Sequence, residues 1–187
     1  MAPQEGFERA AKTLAPQTDV IICLPGRGSR FSIIPGTPVG ALMIPFAILI
    51  IGFFVFRAIG LFFVPAFDSW QPALRAALVP MFLVTASAHW GKRRPDLIRM
   101  VPPIFPRPDV LVTLTGVAEI IGALGLLLPA TASAASIGLA LLLGGLFPAN
   151  VYAARRGLTI RGRPATPLLL RTALQVVFIG AVLAAGW

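Results

Sequence analysis

The sequence predicts an all-α, polytopic membrane bundle of five helical spans, and three observations carry that expectation. Of its 187 residues 57% are hydrophobic and only 12% are charged, with a mean hydropathy of +0.85, well away from the averages of soluble domains. The apolar residues fall in runs long enough to cross a hydrocarbon core of ~30 Å as helices. Lys and Arg residues cluster between alternate runs, which is how a membrane protein sets its orientation.

The charge balance and the scarce Cys and His residues narrow the function classes. A net charge of +9 and a pI near 11.6 would suit nucleic acid, but no basic face survives once the apolar runs are set aside, so nucleic acid is not an expected partner. The lipid bilayer is. A single cysteine, Cys23, and a single histidine, His89, exclude an intramolecular disulfide and CxxC chemistry. They also leave no ligand set for a metal such as zinc, or for a haem held by two protein ligands.

Residues 1–38 mix charge with Pro16, Pro25, Gly26, Gly28, Pro35, Gly36 and Pro38 and keep no apolar period. They read as a mostly disordered cytoplasmic segment with a short helix at Phe7–Leu14. Residues 39–187 form the bundle. Its first span, 39–67, contains Arg57 and tolerates Pro45 near a helix start, where the missing N–H has no helical partner; Pro65 ends it. The second, 72–90, carries Arg75 near its start and His89 at its end, with Pro80 as an expected kink. The prolines of GKRRPDLIRMVPPIFPRPD then forbid a continuous helix. The third span, 110–128, holds Glu119 as its only charge, a tight turn at Pro129–Ser133 leads to an uncharged fourth, 134–154, and the loop RRGLTIRGRP precedes the fifth, 166–187.

Orientation follows from the loops. Arg9, Lys12, Arg27 and Arg30 precede the first span; Lys92, Arg93, Arg94, Arg99 and Arg107 lie after the second; Arg155, Arg156, Arg161 and Arg163 lie after the fourth; the first and third loops have no Lys or Arg. The expected topology is multi-pass, with the N-terminus cytoplasmic and the C-terminus outside. The basic loops would meet anionic headgroups on that side. Trp70, Trp90 and Trp187 fall at span ends as interfacial anchors, and glycines 122, 125, 138, 144 and 145 suit helix packing.

Glu119 is the residue around which the candidate site is built, because a carboxylate at mid-membrane is costly and needs a partner. At a rise of ~1.5 Å per residue it lies ~15 Å into its span, with Gln175 at a similar depth and Arg171 one turn lower. Thr115, Ala118 and Gly122 share its face and admit a close helix. The expected arrangement is a Glu119–Arg171 ion pair extended by Gln175, with Arg57 the alternative partner from the outer half. Below it, His89, Asn150 and the Gly144 carbonyl left free by Pro148 would line an inward-facing pocket under the Pro-rich loop. The same residues serve equally as helix-to-helix glue.

Five motifs in order, SAHW, VPPIFPRPD, LVTLTGVAEIIGALGLLLP, FPANVYAA and LRTALQ, resemble the DoxX-like family of small bacterial integral membrane proteins over Pro72–Trp187. The resemblance implies a four-helix core preceded here by one extra N-terminal span, in a bacterial inner membrane. One departure is the turn PATASA, where the family usually carries basic residues. The implied function is a non-catalytic subunit or anchor of a membrane redox complex, near quinone, with no cofactor in the chain itself and a protein partner on the cytoplasmic side; a homo-oligomer is compatible with it. The second class is a small proton-coupled carrier built on Glu119, His89 and Arg171, although the paired broken helices that transporters use are not evident. An autonomous enzyme is the least supported, for no nucleophile–base pair, metal set or nucleotide loop is legible.

Overall fold

The computed structural model describes residues 38–160, 163–164 and 166–187. The N-terminal helix expected at Phe7–Leu14, Cys23, the basic residues Arg9, Lys12, Arg27 and Arg30, and Arg161 lie outside them. Six helices follow in order: α1 (Pro38–Phe62), α2 (Trp70–Ser87), α3 (Arg94–Met100), α4 (Pro108–Leu127), α5 (Ala132–Arg155) and α6 (Leu168–Gly186). Among the described residues four stretches are long and apolar enough to cross a membrane: Met43–Phe62, Pro108–Leu127, Ala132–Arg155 and Leu168–Gly186. These match the first, third, fourth and fifth expected spans. The second expected span, 72–90, corresponds to α2, which is shorter and is diluted by Gln71, Pro72, Arg75 and Pro80.

Where the helices end is set locally. Pro65 opens a one-turn 3-10 helix, Pro65–Phe67, so α1 stops before residue 67. Pro95 and Pro108 occupy the first turns of α3 and α4, where a missing N–H costs nothing. Gly157, at φ +60°, ends α5: its N–H donates to the Ala154 carbonyl and that of Leu158 to Ala153 at 3.1 Å, a pairing that needs a left-handed residue after the cap. Two local features were not foreseen. The proline-rich loop contains the seven-residue helix α3, and the loop after α5 pairs Thr159–Ile160 antiparallel to Arg163–Pro164.

Packing decides the architecture. Helix α2 packs on α4, α4 on α5, α5 on α6, and α6 back on α2, so these four form a ring; α1 lies outside it against α2. The apolar centre gathers Ala77, Leu78, Met81, Phe82, Ala123, Leu126, Leu139 and Val182, with Leu49 contributed by α1. At Gly52 a Cβ would lie 3.3 Å from that of Ala77, which marks where α1 and α2 cross. The lipid-side faces keep their large apolar residues exposed, among them Ile51, Phe54, Leu114, Ile121, Leu141 and Val176. Trp70, Trp90 and Trp187 stand exposed at or beside helix ends.

Polar contacts fasten both ends. Arg57 donates to the carbonyls of Phe67 (3.1 Å) and Asp68 and lies 3.9 Å from the Asp68 carboxylate, holding the α1–α2 turn. Arg75 donates to the Ala185 carbonyl at 2.7 Å, closing the ring where α6 ends and its free carbonyls attract a cation. Ser136 donates to Val182 and Ser133 to Gly186, both at 2.8 Å. At the opposite end Arg99 bonds Asp96 and reaches the Thr159 carbonyl at 3.2 Å, tying α3 to the short hairpin.

Candidate functional site

The buried acid is paired, and its partner is His89. Glu119 is 4% exposed and His89 7%, and Nε2 of the imidazole lies 3.5 Å from the Glu119 Oε1. The other carboxylate oxygen accepts from the Thr85 hydroxyl at 2.9 Å. On the far edge of the ring, Nδ1 donates to the Val112 carbonyl at 2.6 Å, and the Thr115 oxygen lies 3.3 Å away. The Thr115 hydroxyl is itself held by the carbonyls of Leu111 (3.0 Å) and Val112 (3.1 Å).

The local chain explains why the ring turns inward. His89 lies two residues past α2 in a tightened turn, its N–H donating to the Ala86 carbonyl at 2.9 Å. That turn is pinned by Arg94, which donates to the His89 carbonyl at 2.8 Å, to the Asp109 carbonyl at 3.1 Å and to the Thr113 hydroxyl at 3.0 Å. Opposite stands Gly116, where a Cβ would sit 2.7 Å from His89 Cβ and 2.8 Å from the Trp90 ring. Only a glycine leaves that notch, three residues before the acid.

A carbonyl only accepts, so Nδ1 carries a proton. Nε2 then faces a carboxylate oxygen at 3.5 Å, a contact that is attractive when a second proton lies between the two atoms; that proton would leave the buried pair without net charge, the condition under which such groups are tolerated at membrane depth.

Three of the remaining candidates, Arg171, Asn150 and Gln175, lie in a second, separate cluster between α5 and α6. Arg171, 7% exposed, donates to the Asn150 side-chain oxygen at 2.9 Å and to the Thr166 carbonyl at 3.2 Å. Gln175 donates to the Leu143 carbonyl at 2.5 Å. The expected Glu119–Arg171 pair is therefore corrected: α4 packs on α2 and α5, whereas Arg171 is on α6, across the ring. Gln175 does not bridge to the acid, and its acceptor is Leu143 and not the Gly144 carbonyl freed by Pro148. Arg57 is engaged at the α1–α2 turn and is not a partner of Glu119. His89 and Asn150 belong to different clusters and do not share the expected pocket.

Among the residues the sequence reading passed over, Thr85, Arg94 and Gly116 complete the acid site. Thr85 sits four residues before His89, a spacing that puts two side chains on one side of a helical turn; that was a readable signal. Thr85 also lines a cleft of about 290 Å³ between α1 and the end of α2. Among the described residues no three metal-ligating side chains gather.

Compared with known proteins, the chain matches one family, a domain of unknown function (DUF8561), over residues 78–185. No curated protein and no solved structure matches it. The matched region runs from α2 almost to the end of α6 and so takes in both polar clusters. Since it covers more than half of the 187 residues, the chain belongs to the DUF8561 family.

Proposed function

We propose that the protein is an integral membrane subunit of the DoxX-like type, with α2 as a fifth crossing and the basic end facing the cytoplasm of a bacterial inner membrane. Its role is to anchor or complete a membrane redox complex, binding a protein partner on the basic end and lying near quinone. The observation that carries this reading is the closure of the buried acid on its neighbours. Both carboxylate oxygens and both imidazole nitrogens have partners within 3.5 Å inside the bundle. A pair so enclosed ties helices together and offers no free group to a passing solute.

Support for α2 as a crossing comes from its surroundings. Its 18 residues extend ~27 Å as a helix, and it packs along α1, α4 and α6, so neighbours cover much of its surface and it needs less apolar residue toward lipid. Crosslinking in native membranes tests the subunit role: one recurrent partner joined through the basic end is expected, and repeated recovery of the chain alone overturns it. Extraction of the purified protein in mild detergent should release a quinone.

One observation favours a second reading, a proton-coupled carrier: Thr85, which donates to Glu119, also lines the cleft at the basic end. Proteoliposomes under an imposed pH gradient separate the two. A proton flux lost in Glu119→Gln favours the carrier, and no flux favours the anchor.

A further inference from the structure

The cleft between the start of α1 and the end of α2 has a divided lining. Ile44, Pro45 and Val84 form an apolar wall, while Lys92 and Arg93 stand at its basic end. Among the described residues neither cation lies within 4 Å of a carboxylate; the three ion pairs present use Arg57, His89 and Arg99. From the wall an apolar lane continues outward: Ile44 and Ile51, two turns apart on one side of α1, are exposed, as are Leu83 and Val84 on α2.

We propose that this cleft binds the headgroup of an anionic phospholipid, its phosphate between Lys92 and Arg93 and its first methylenes along Ile44 and Val84. A volume of about 290 Å³ is at the lower edge of the ~300–1,000 Å³ typical of small-molecule sites, enough for a headgroup and glycerol while the acyl chains run out along the exposed lane. The two cations, which meet no carboxylate among the described residues, suit a phosphodiester, and basic pockets between spans on the cytoplasmic side are where anionic headgroups are held. A zwitterionic headgroup would bring its own cation to Lys92 and Arg93 and gain less. Because Thr85 lines the cleft and hydrogen-bonds Glu119, a seated headgroup is separated from the acid by that one side chain.

Trp90 adjoins Gly91, a lining residue, and serves as the reporter once Trp70 and Trp187 are replaced by Phe. In phosphatidylcholine nanodiscs, a minor fraction of brominated phosphatidylglycerol is expected to quench Trp90 more than the same fraction of brominated phosphatidylcholine. Lys92→Gln with Arg93→Gln should weaken that preference on the order of tenfold, since each cation near an anionic headgroup contributes severalfold in affinity. Arg107→Gln with Arg156→Gln removes the same charge from the same end outside the cleft and should leave the preference in place. Val84→Phe fills the cleft without changing charge and should abolish it. Equal loss in both double variants, no loss in either, no effect of Val84→Phe, or displacement of the brominated lipid by millimolar inorganic phosphate would each overturn the proposal.

Discussion

Single residues decide which buried charges find each other. Glu119 lies closest to a helix face carrying Thr85 and to the turn carrying His89, so a double-mutant cycle should assign its coupling there. For Glu119→Ala with His89→Ala we expect an interaction energy of about 1–2 kcal/mol, and for Glu119→Ala with Arg171→Ala one within about 0.5 kcal/mol of zero; thermal unfolding in detergent measures both. A charge swap between Glu119 and Arg171 should rescue nothing. The side-chain chemistry of the site refines the forecast. With Nδ1 held by Val112, a neutral His89 accepts at Nε2, and the amide of Glu119→Gln donates to it. Glu119→Gln should therefore be mild, whereas Glu119→Leu leaves Nε2 unpaired, the Thr85 hydroxyl falling back on the Phe82 carbonyl at 2.9 Å, and should cost about 1–3 kcal/mol more.

At the scale of elements, glycine positions separate packed faces from lipid faces. A Cβ at Gly122 would meet the Leu139 side chain at 2.6 Å and one at Gly125 would meet Ala135 at 2.9 Å, while Gly138, Gly144 and Gly145 have nothing within 4 Å. Only the first two of those five serve packing as expected. Gly116→Ala should be destabilising by about 1–3 kcal/mol, because His89 and the Trp90 ring must both give way. Gly138→Ala should be neutral or stabilising by up to ~1 kcal/mol through helix propensity. Unfolding midpoints of the two variants in one detergent test the contrast, and equal effects would contradict the packing of α2 on α4. Sequence periodicity cannot rank these glycines, since the membrane helices are apolar all round and lack the one-sided pattern that marks a buried face.

For the whole molecule, the parity of crossings depends on α2. If it spans, the α1–α2 turn and the α4–α5 turn share one side, and the basic loops share the other. In a Cys23→Ser background, Ser69→Cys and Ala130→Cys should react with an impermeant thiol reagent in intact cells, and Lys92→Cys and Arg156→Cys only after permeabilisation. Labelling of Ser69→Cys and Lys92→Cys from the same side would remove α2 from the set of crossings. The ring of α2, α4, α5 and α6 with α1 outside also explains why the two polar clusters stay apart. Diagonal helices of a four-membered ring are separated by its apolar centre, here Ala77, Phe82, Leu126 and Leu139.

The sequence by itself determined the class of this protein. Apolar runs and charge placement are consequences of bilayer thickness and hydration, which act on each segment independently, so four of the five expected spans coincide with helices long and apolar enough to cross a membrane, to within a few residues apart from the end of α1. It also marked Glu119 as a buried charge needing a partner, and His89, Arg171, Gln175 and Asn150 as the polar groups available between the helices, since the need for a partner follows from the cost of burying a charge. Which partner each one takes was decided only by the tertiary structure. Depth along a helix is readable from residue counts, but the order of helices around the ring and the notch at Gly116 depend on packing between segments distant in sequence. Those two facts turned an expected Glu119–Arg171 pair into a Glu119–His89 pair.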